Sequence, residues 1–407
     1  MLVRYDVAVV GGGPAGSMAA ASLARRGARV ALIDHSHPRE KPCGGGYTGR
    51  AIALVAEHLP SAMFASVRIR AARFLDTPRQ SDVAVPLQDD NTLVVASRAA
   101  ADAAMFDAAT QAGATVVRAR VVDVARETRM RLTTSDGQRI DADMVVGADG
   151  ANSLVRRRMS RAFSREDLSI ATGFYAHGTT SDQIVLEMVD DPPGYIWSFP
   201  RPDHLAIGIC AQATDASIGI LRNTLTRWIA QTGIADGAQL EVYSWPIPAL
   251  TPEGFDRVVV SGPGWMTVGD AAGLVDPITR EGIFFALQSG LFAAEALMSG
   301  SADAAARRYA DRVRAEIVDD LRHAATLKAG FFRPEFTHLL NDALASSAPV
   351  RAVMADLIAG IQPYRSLRRR LLGTCEFVLA WRLLREARLA IFDGRVRRSR
   401  SKSFSRP

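Results

Sequence analysis

The stretch Asp6-Val7-Ala8-Val9-Val10-Gly11-Gly12-Gly13-Pro14-Ala15-Gly16 constrains this chain more than any other. An apolar run, a glycine-rich turn and a small-residue segment read as a strand, a tight turn and a helix N-terminus. Gly11 permits the turn, Gly13 lets backbone N–H groups approach a pyrophosphate, and Ala15 and Gly16 let helix and strand pack closely, while the helix dipole favours an anion there. The predicted helix runs from Pro14 to Arg26 and stops at Gly27. The strand from Arg29 then ends at Asp34, at the spacing of a carboxylate that accepts a hydrogen bond from a ribose 2′-hydroxyl. These elements together predict a dinucleotide site.

The first apolar stretch follows Arg4, as in a signal peptide, but Asp6 and the phosphate-loop glycines mark it as the first βα unit of a fold. With 407 residues, 48% of them hydrophobic, the chain can bury a large core and hold two or more domains. Cys43, Cys210 and Cys375 are too few and too scattered for a disulfide framework or a metal site, so no metal and a reducing cytoplasm are expected. No uncharged apolar run approaches the ~18 residues of a bilayer span. The net charge of +6 is concentrated late: from Arg365 onward thirteen Arg and Lys face three acidic residues. The segment Arg395 to Arg406 is basic and serine-rich, a composition that predicts disorder. It is either a solvated end or a contact for an anionic membrane face. Lacking interleaved aromatics or a reading module, it does not point to nucleic acid.

Helical spacing recurs over Ser97 to Gly113 and near Ser217 to Gln231, and strand-like runs over Thr115 to Val124, Met130 to Thr134, Met144 to Val146 and Ser169 to Val260. A second glycine-rich turn, Gly269-Asp270-Ala271-Ala272-Gly273, feeds a helix from about Gly282. The expected organisation is a nucleotide-binding domain in three pieces, 1–65, 96–165 and 258–300. Substrate-domain strands at 66–95 and a β-rich substrate domain at 166–257 interrupt it, and a helical region, 301–392, and a basic tail, 393–407, follow.

The first loop, Arg98 with Phe106-Asp107 after it, Gly147-Ala148-Asp149-Gly150 with Arg156 downstream, and the second glycine turn together resemble flavoproteins of the p-hydroxybenzoate hydroxylase fold. That resemblance implies an α/β fold, with a Rossmann-like FAD-binding domain interrupted by an antiparallel β-sheet substrate domain and followed by a helical C-terminal region. FAD would occupy the first-loop site, contacted also at Val122, Gly150 and Ile283. Gly269, Asp270, Gly273 and Gly282 would hold the ribityl chain and pyrophosphate. On residue chemistry alone Asp270 is also readable as an N-cap, Arg98 as a solvated helix start and Asp149 as a turn residue.

Three further segments narrow the likeness. Lys41-Pro42-Cys43-Gly44-Gly45-Gly46, Gly194-Tyr195-Ile196-Trp197-Ser198-Phe199-Pro200 with Gly208 following, and Val275-Asp276-Pro277-Ile278-Thr279-Arg280-Glu281-Gly282-Ile283 resemble the geranylgeranyl reductase family. Arg280, where that family usually shows glycine, either clamps or clashes with a substrate head group. Cys210 likewise stands where the pattern ends in glycine. The resemblance implies an FAD-dependent reductase that saturates C=C bonds of a polyprenyl chain on a lipid, tetrapyrrole or quinone, with NAD(P)H or reduced ferredoxin as electron donor. Its place would be the cytoplasm, peripheral on the inner membrane face.

Tyr195, Trp197 and Phe199 alternate along one strand and so share a face, which is a prenyl-binding wall or an ordinary sheet core. Pro200 and Gly208 are placed with them as substrate residues. Lys41, Pro42, Gly44 and Gly45 fall in a turn that approaches the isoalloxazine, where Cys43 supplies a proton, touches substrate or is a small hydrophobe. An aromatic or polyketide monooxygenase of the same fold is the rival reading. Halogenation is disfavoured, because it needs a lysine near the flavin and the chain has only Lys41, Lys328 and Lys402.

Overall fold

The computed structural model describes residues 3–374. Cys375, the expected helix over 375–392 and the basic tail 393–407 lie outside the described residues.

Val3–Val10 pairs in parallel with Val30–Ile33 on one side and with Arg139–Gly147 on the other. Flanked on both edges, its second half from Val7 to Val10 is apolar and buried without alternation, as central parallel strands are. Trp265–Thr267 extends the sheet beyond Arg139–Gly147, and Thr115–Val117 extends it beyond Val30–Ile33. Chain segments far apart in sequence thus bring both glycine-rich turns to one end of one sheet. The predicted strand over Thr115 to Val124 is two strands, since Val121–Arg126 turns away to pair antiparallel with Met130–Thr134.

The helix after the first turn spans Pro14–Ala24, with Met18, Ala19, Ala20, Ala21 and Leu23 fully buried. Its small residues admit the helix Ile283–Leu297 at very close range: a Cβ on Gly290 would lie 2.4 Å from the Ala15 carbonyl oxygen.

The second sheet has seven strands in the order Gln239–Pro248, Leu168–His177, His204–Gln212, Pro193–Pro200, Gln183–Asp190, Ala71–Asp76, Ser81–Pro86. It is antiparallel except where Gln183–Asp190 runs parallel to Ala71–Asp76. Period two divides its faces. Ile196, Ile207 and Ile209 pack under the helix Ile218–Thr232, whereas Tyr195, Trp197 and Cys210 face Phe331 and Phe332 at the end of the helix Asp319–Phe331. Helices Pro334–Ser346 and Ala348–Ile358 cover the rest of that second face. Val67–Arg68 and Leu93–Val95 join neither large sheet; they form a small third one with Gly46–Thr48.

Candidate active site

Three glycines of the first loop do three different jobs. Gly11 has φ +106° and a Cβ there would lie 2.3 Å from the Ala148 carbonyl oxygen; on Gly16 it would lie 1.8 Å from the Gly11 oxygen. Neither position can carry a side chain. At Gly13 a Cβ would meet nothing nearer than the His37 ring at 3.5 Å, so the protein's own packing does not demand glycine. The open space lies at the N-terminus of Pro14–Ala24, where first-turn N–H groups have no carbonyl of their own helix, which is the cradle an anion needs.

Asp34 is already fully engaged. Its carboxylate accepts from the backbone N–H groups of Gly12, Ser36 and His37, each at 2.6 Å, and from His37 Nδ1 at 2.8 Å. Burial opposes ionisation, but the hydrogen bonds of His37 and Gly12 hold the carboxyl well below the usual range. It therefore braces the glycine loop, and a ribose hydroxyl would have to displace one of these donors. Arg98 is likewise spoken for: buried at 2% exposure, it donates from Nε and Nη2 to Asp102 at 2.9 and 2.8 Å. Its charge is matched within its own helix, Arg98–Gln111, rather than left for a pyrophosphate. Val122 is 42% exposed on its strand outside the parallel path.

Asp149 caps the helix Leu154–Met159 through Oδ2, which accepts from Leu154 and Val155 N–H, while its buried Oδ1 has no hydrogen-bond partner among the described residues. Beside it, the φ +77° of Gly150 lets the turn close. Arg156 links this turn to the second glycine turn by donating to the Ala271 carbonyl, and burial lowers its pKa to about 10. In that second turn Gly269 and Gly273 hold positive φ, and Asp270 accepts from Lys41 Nζ at 2.9 Å. Gly282 precedes Ile283–Leu297 with no side chain capping the helix. The open cradle at Gly13, the orphaned Asp149 Oδ1, the uncapped helix at Gly282 and Asp270 fit a dinucleotide whose sugar hydroxyls and phosphates would supply the missing partners.

The turn Lys41–Gly46 is held from behind by a buried charge network absent from the sequence reading. Arg201, with 0% exposure, donates to Glu40 and to the Cys43 carbonyl. Glu40 also accepts from Ser97 Oγ at 2.6 Å and from Arg98 N–H at 2.9 Å. Gly44 is pressed on Phe199, whose ring would sit 2.1 Å from an added Cβ, and Gly45 has φ +81°. Cys43 Sγ accepts from Gly45 N–H at 3.3 Å. The only sequence signal for this network is an acidic residue just before Lys41, which no spacing rule connects to Arg201.

A continuous space of about 1570 Å³, part of it open to solvent, extends from the glycine turns at Pro14, Asp270 and Gly282 to the gap between the second sheet and the C-terminal helices. Tyr195, Trp197 and Phe199 line it together, reached at one side by Pro42, Cys43 and Gly44. Pro200 and Gly208, expected beside the aromatics, do not line it. Gly208 pairs with Trp197 across the strands and a Cβ there would lie 2.2 Å from the indole, so its role is to make room for that ring. The opposite wall, Phe331, Met354, Leu357 and Ile358, comes from helices whose sequence announced only their helicity. Glu281 also lines the cavity, near Thr48 Oγ1 at 3.2 Å and Arg50 at 3.7 Å, and burial pushes its carboxyl up to about 7. Cys43 and Glu281 are among the groups of this wall that carry a proton.

This architecture, a parallel-sheet dinucleotide domain threaded through an antiparallel sheet that shelters a cavity, defines an FAD-dependent oxidoreductase. Residues 4–216 match the FAD binding domain family. A menaquinone reductase of Mycolicibacterium smegmatis is 32% identical over 328 residues, covering 74% of this chain and 78% of that one. The digeranylgeranylglycerophospholipid reductase of Methanothrix thermoacetophila is 30% identical over 357 residues, covering 81% and 88%. A solved geranylgeranyl bacteriochlorophyll reductase-like protein from Thermoplasma acidophilum shares the fold at a TM-score of 0.77 and 24% identity, over 92% of this chain and 100% of that one. The chain belongs to the geranylgeranyl reductase family of FAD-dependent enzymes.

Proposed function

We propose that this enzyme saturates C=C bonds of a polyprenyl chain carried on a lipid or quinone. The observation that carries the reading is the cavity: an aromatic and aliphatic chamber that reaches the Lys41–Gly46 turn of the nucleotide site. Apolar area contributes about 25 cal/mol per Å² on burial, so the apolar part of this chamber suits an isoprenoid tail.

Reduced FAD supplies a hydride when bound. The first and second glycine turns would hold its phosphates and sugars, with Gly13, Asp149 and Asp270 facing them. An isolated alkene has no group to stabilise an anion, so a proton must arrive with or before the hydride. Glu281, neutral up to about pH 7, is the wall residue suited to that transfer, and Thr48 fixes its orientation through Oε1. The aromatic row Tyr195, Trp197, Phe199 excludes water from the reacting carbon. A reduced nicotinamide or reduced ferredoxin is the electron source in this reading, and the enzyme works on the cytoplasmic face of a membrane that stores its substrate.

The test is anaerobic turnover of dithionite-reduced enzyme with prenylated lipids and quinones, read by mass spectrometry. Products heavier by pairs of hydrogens support the reading, together with release of FAD on denaturation. A hydroxylated product formed only with oxygen would overturn it in favour of a monooxygenase.

A further inference from the structure

The cavity has two unlike sides. Under the helices Pro334–Ser346 and Ala348–Ile358 it is walled by Phe74, Ile184, Leu186, Met354 and Leu357, all apolar. Across the sheet, one register row runs Trp245, Ala171, Cys210, Tyr195, and Arg280 enters the wall against it. Tyr195 ties the Arg280 loop to this row by donating from its hydroxyl to the Thr279 carbonyl at 2.8 Å. Behind this wall and not itself lining the cavity, Lys328 donates from Nζ to Gln212, two residues beyond Cys210.

This side is rich in donors and short of acceptors. Arg280 Nε and Trp245 Nε1 are buried without a hydrogen-bond partner among the described residues. Among the described residues Arg280 Nη1 donates to the carbonyl of Pro277, in its own loop, and the guanidinium also lies against the Cys210 thiol. Neither Arg280 nor Lys328 is in salt-bridge contact with a carboxylate among the described residues. Burial first, and the Arg280 charge after it, push the Lys328 ammonium well below its ordinary range. Arg280 also holds φ +61°, a left-handed conformation natural to glycine, so the chain keeps an arginine there against its backbone preference.

We propose that Arg280, Lys328 and the Trp245 indole N–H form a head-group subsite for phosphate, so that the cavity selects a prenyl substrate with an anionic phosphorylated head over one with a neutral head. The inference rests on the prenyl reductase reading and specifies its substrate class. Phosphate oxygens accept from a guanidinium and favour the charged form of a nearby lysine, whereas a quinone ring leaves the Arg280 charge buried and unmatched. A prenyl diphosphate and a glycerophosphate lipid share this chemistry.

The test titrates oxidised, FAD-loaded protein with geranylgeranyl diphosphate, digeranylgeranylglycerophosphate, geranylgeraniol and menaquinone, following tryptophan fluorescence and the flavin spectrum. At least one phosphate compound binds native protein about tenfold or more tightly than the alcohol, as expected for a charged hydrogen-bonded head, and the tighter of the two identifies the source. Arg280→Gly, which relieves the left-handed backbone and so keeps the fold, and Lys328→Met each reduce that preference about tenfold while geranylgeraniol binding stays within about twofold. Equal affinity of native protein for phosphates and alcohol overturns the subsite, as does tighter binding of menaquinone. So does an Arg280→Gly variant whose flavin spectrum shifts while its preference stays, which would assign Arg280 to the cofactor. Failure of all four compounds to bind sinks the prenyl reading itself. Reduction of menaquinone without any phosphate preference removes the subsite and leaves that reading standing.

Discussion

At Glu281 a carboxyl stands in a largely apolar wall, and its chemistry is set by what surrounds it. Below about pH 4.5 it is protonated in folded and unfolded chains alike; between there and about 7 only the unfolded chain ionises. The native fold therefore loses stability as pH rises through that window, by about 3 kcal/mol in all. Glu281→Gln is expected to melt above the native enzyme at pH 8.5 and level with it at pH 4, as calorimetry would show. Loss of the acid is also expected to lower kcat about 100-fold and to erase the decline of native activity above pH 7. Trp197→Ala is expected to reduce prenyl turnover far more than FAD content, with a folding cost of about 3–5 kcal/mol to be checked first by denaturant titration. Equal loss of both would place the indole in the flavin site. The alternation of Tyr195, Trp197 and Phe199 was legible because period two needs only one strand. The roles of Gly208 and Arg98 were not, because each depends on a partner, Trp197 across the sheet and Asp102 in the same helix, that a motif does not reveal.

The turn from Lys41 to Gly46 illustrates how an element is held in place by charge rather than by its own hydrogen bonds. Arg201 sits at the end of the aromatic strand and clamps Glu40 and the Cys43 carbonyl, so the turn and the substrate wall move together. Removing one member of a buried ion pair costs about 3–5 kcal/mol, because the other is left unpaired. Arg201→Met is expected to lower the urea midpoint and weaken FAD retention, and adding Glu40→Gln is expected to recover part of both, measured by flavin fluorescence on titration. A double variant no better than the single one would mean that Arg201 acts through its contact with His204 Nε2, 3.3 Å from Nη1, or through packing instead. Helices and strands near the glycine turns were readable because capping, period and turn chemistry are local. The split of 66–95 between two sheets was not, since strand partnership is decided by distant segments.

Across the whole molecule, the nucleotide half of the site was visible in its motifs, whereas the far wall of the cavity was not. Phe331, Met354 and Leu357 belong to helices without a signature, and only their packing on the antiparallel sheet gives them a role. The basic segment after Asp393 is expected to contribute about 1 kcal/mol per Arg or Lys to attraction for an anionic membrane, screened at high salt. Truncation after Asp393 should therefore reduce sedimentation with anionic vesicles at low salt while sparing turnover of detergent-solubilised substrate; vesicle binding unchanged by truncation would assign the segment no membrane role. The contact of Gly290 with Ala15 joins helices nearly the whole length of the nucleotide domain apart in sequence. On the ribosome, the alanine-rich face of Pro14–Ala24 must wait without its partner until residues beyond Leu297 have been made. Cofactor capture therefore comes late in the life of a nascent chain, and cells short of chaperones should lose this enzyme as aggregated, colourless polypeptide before they run short of flavin.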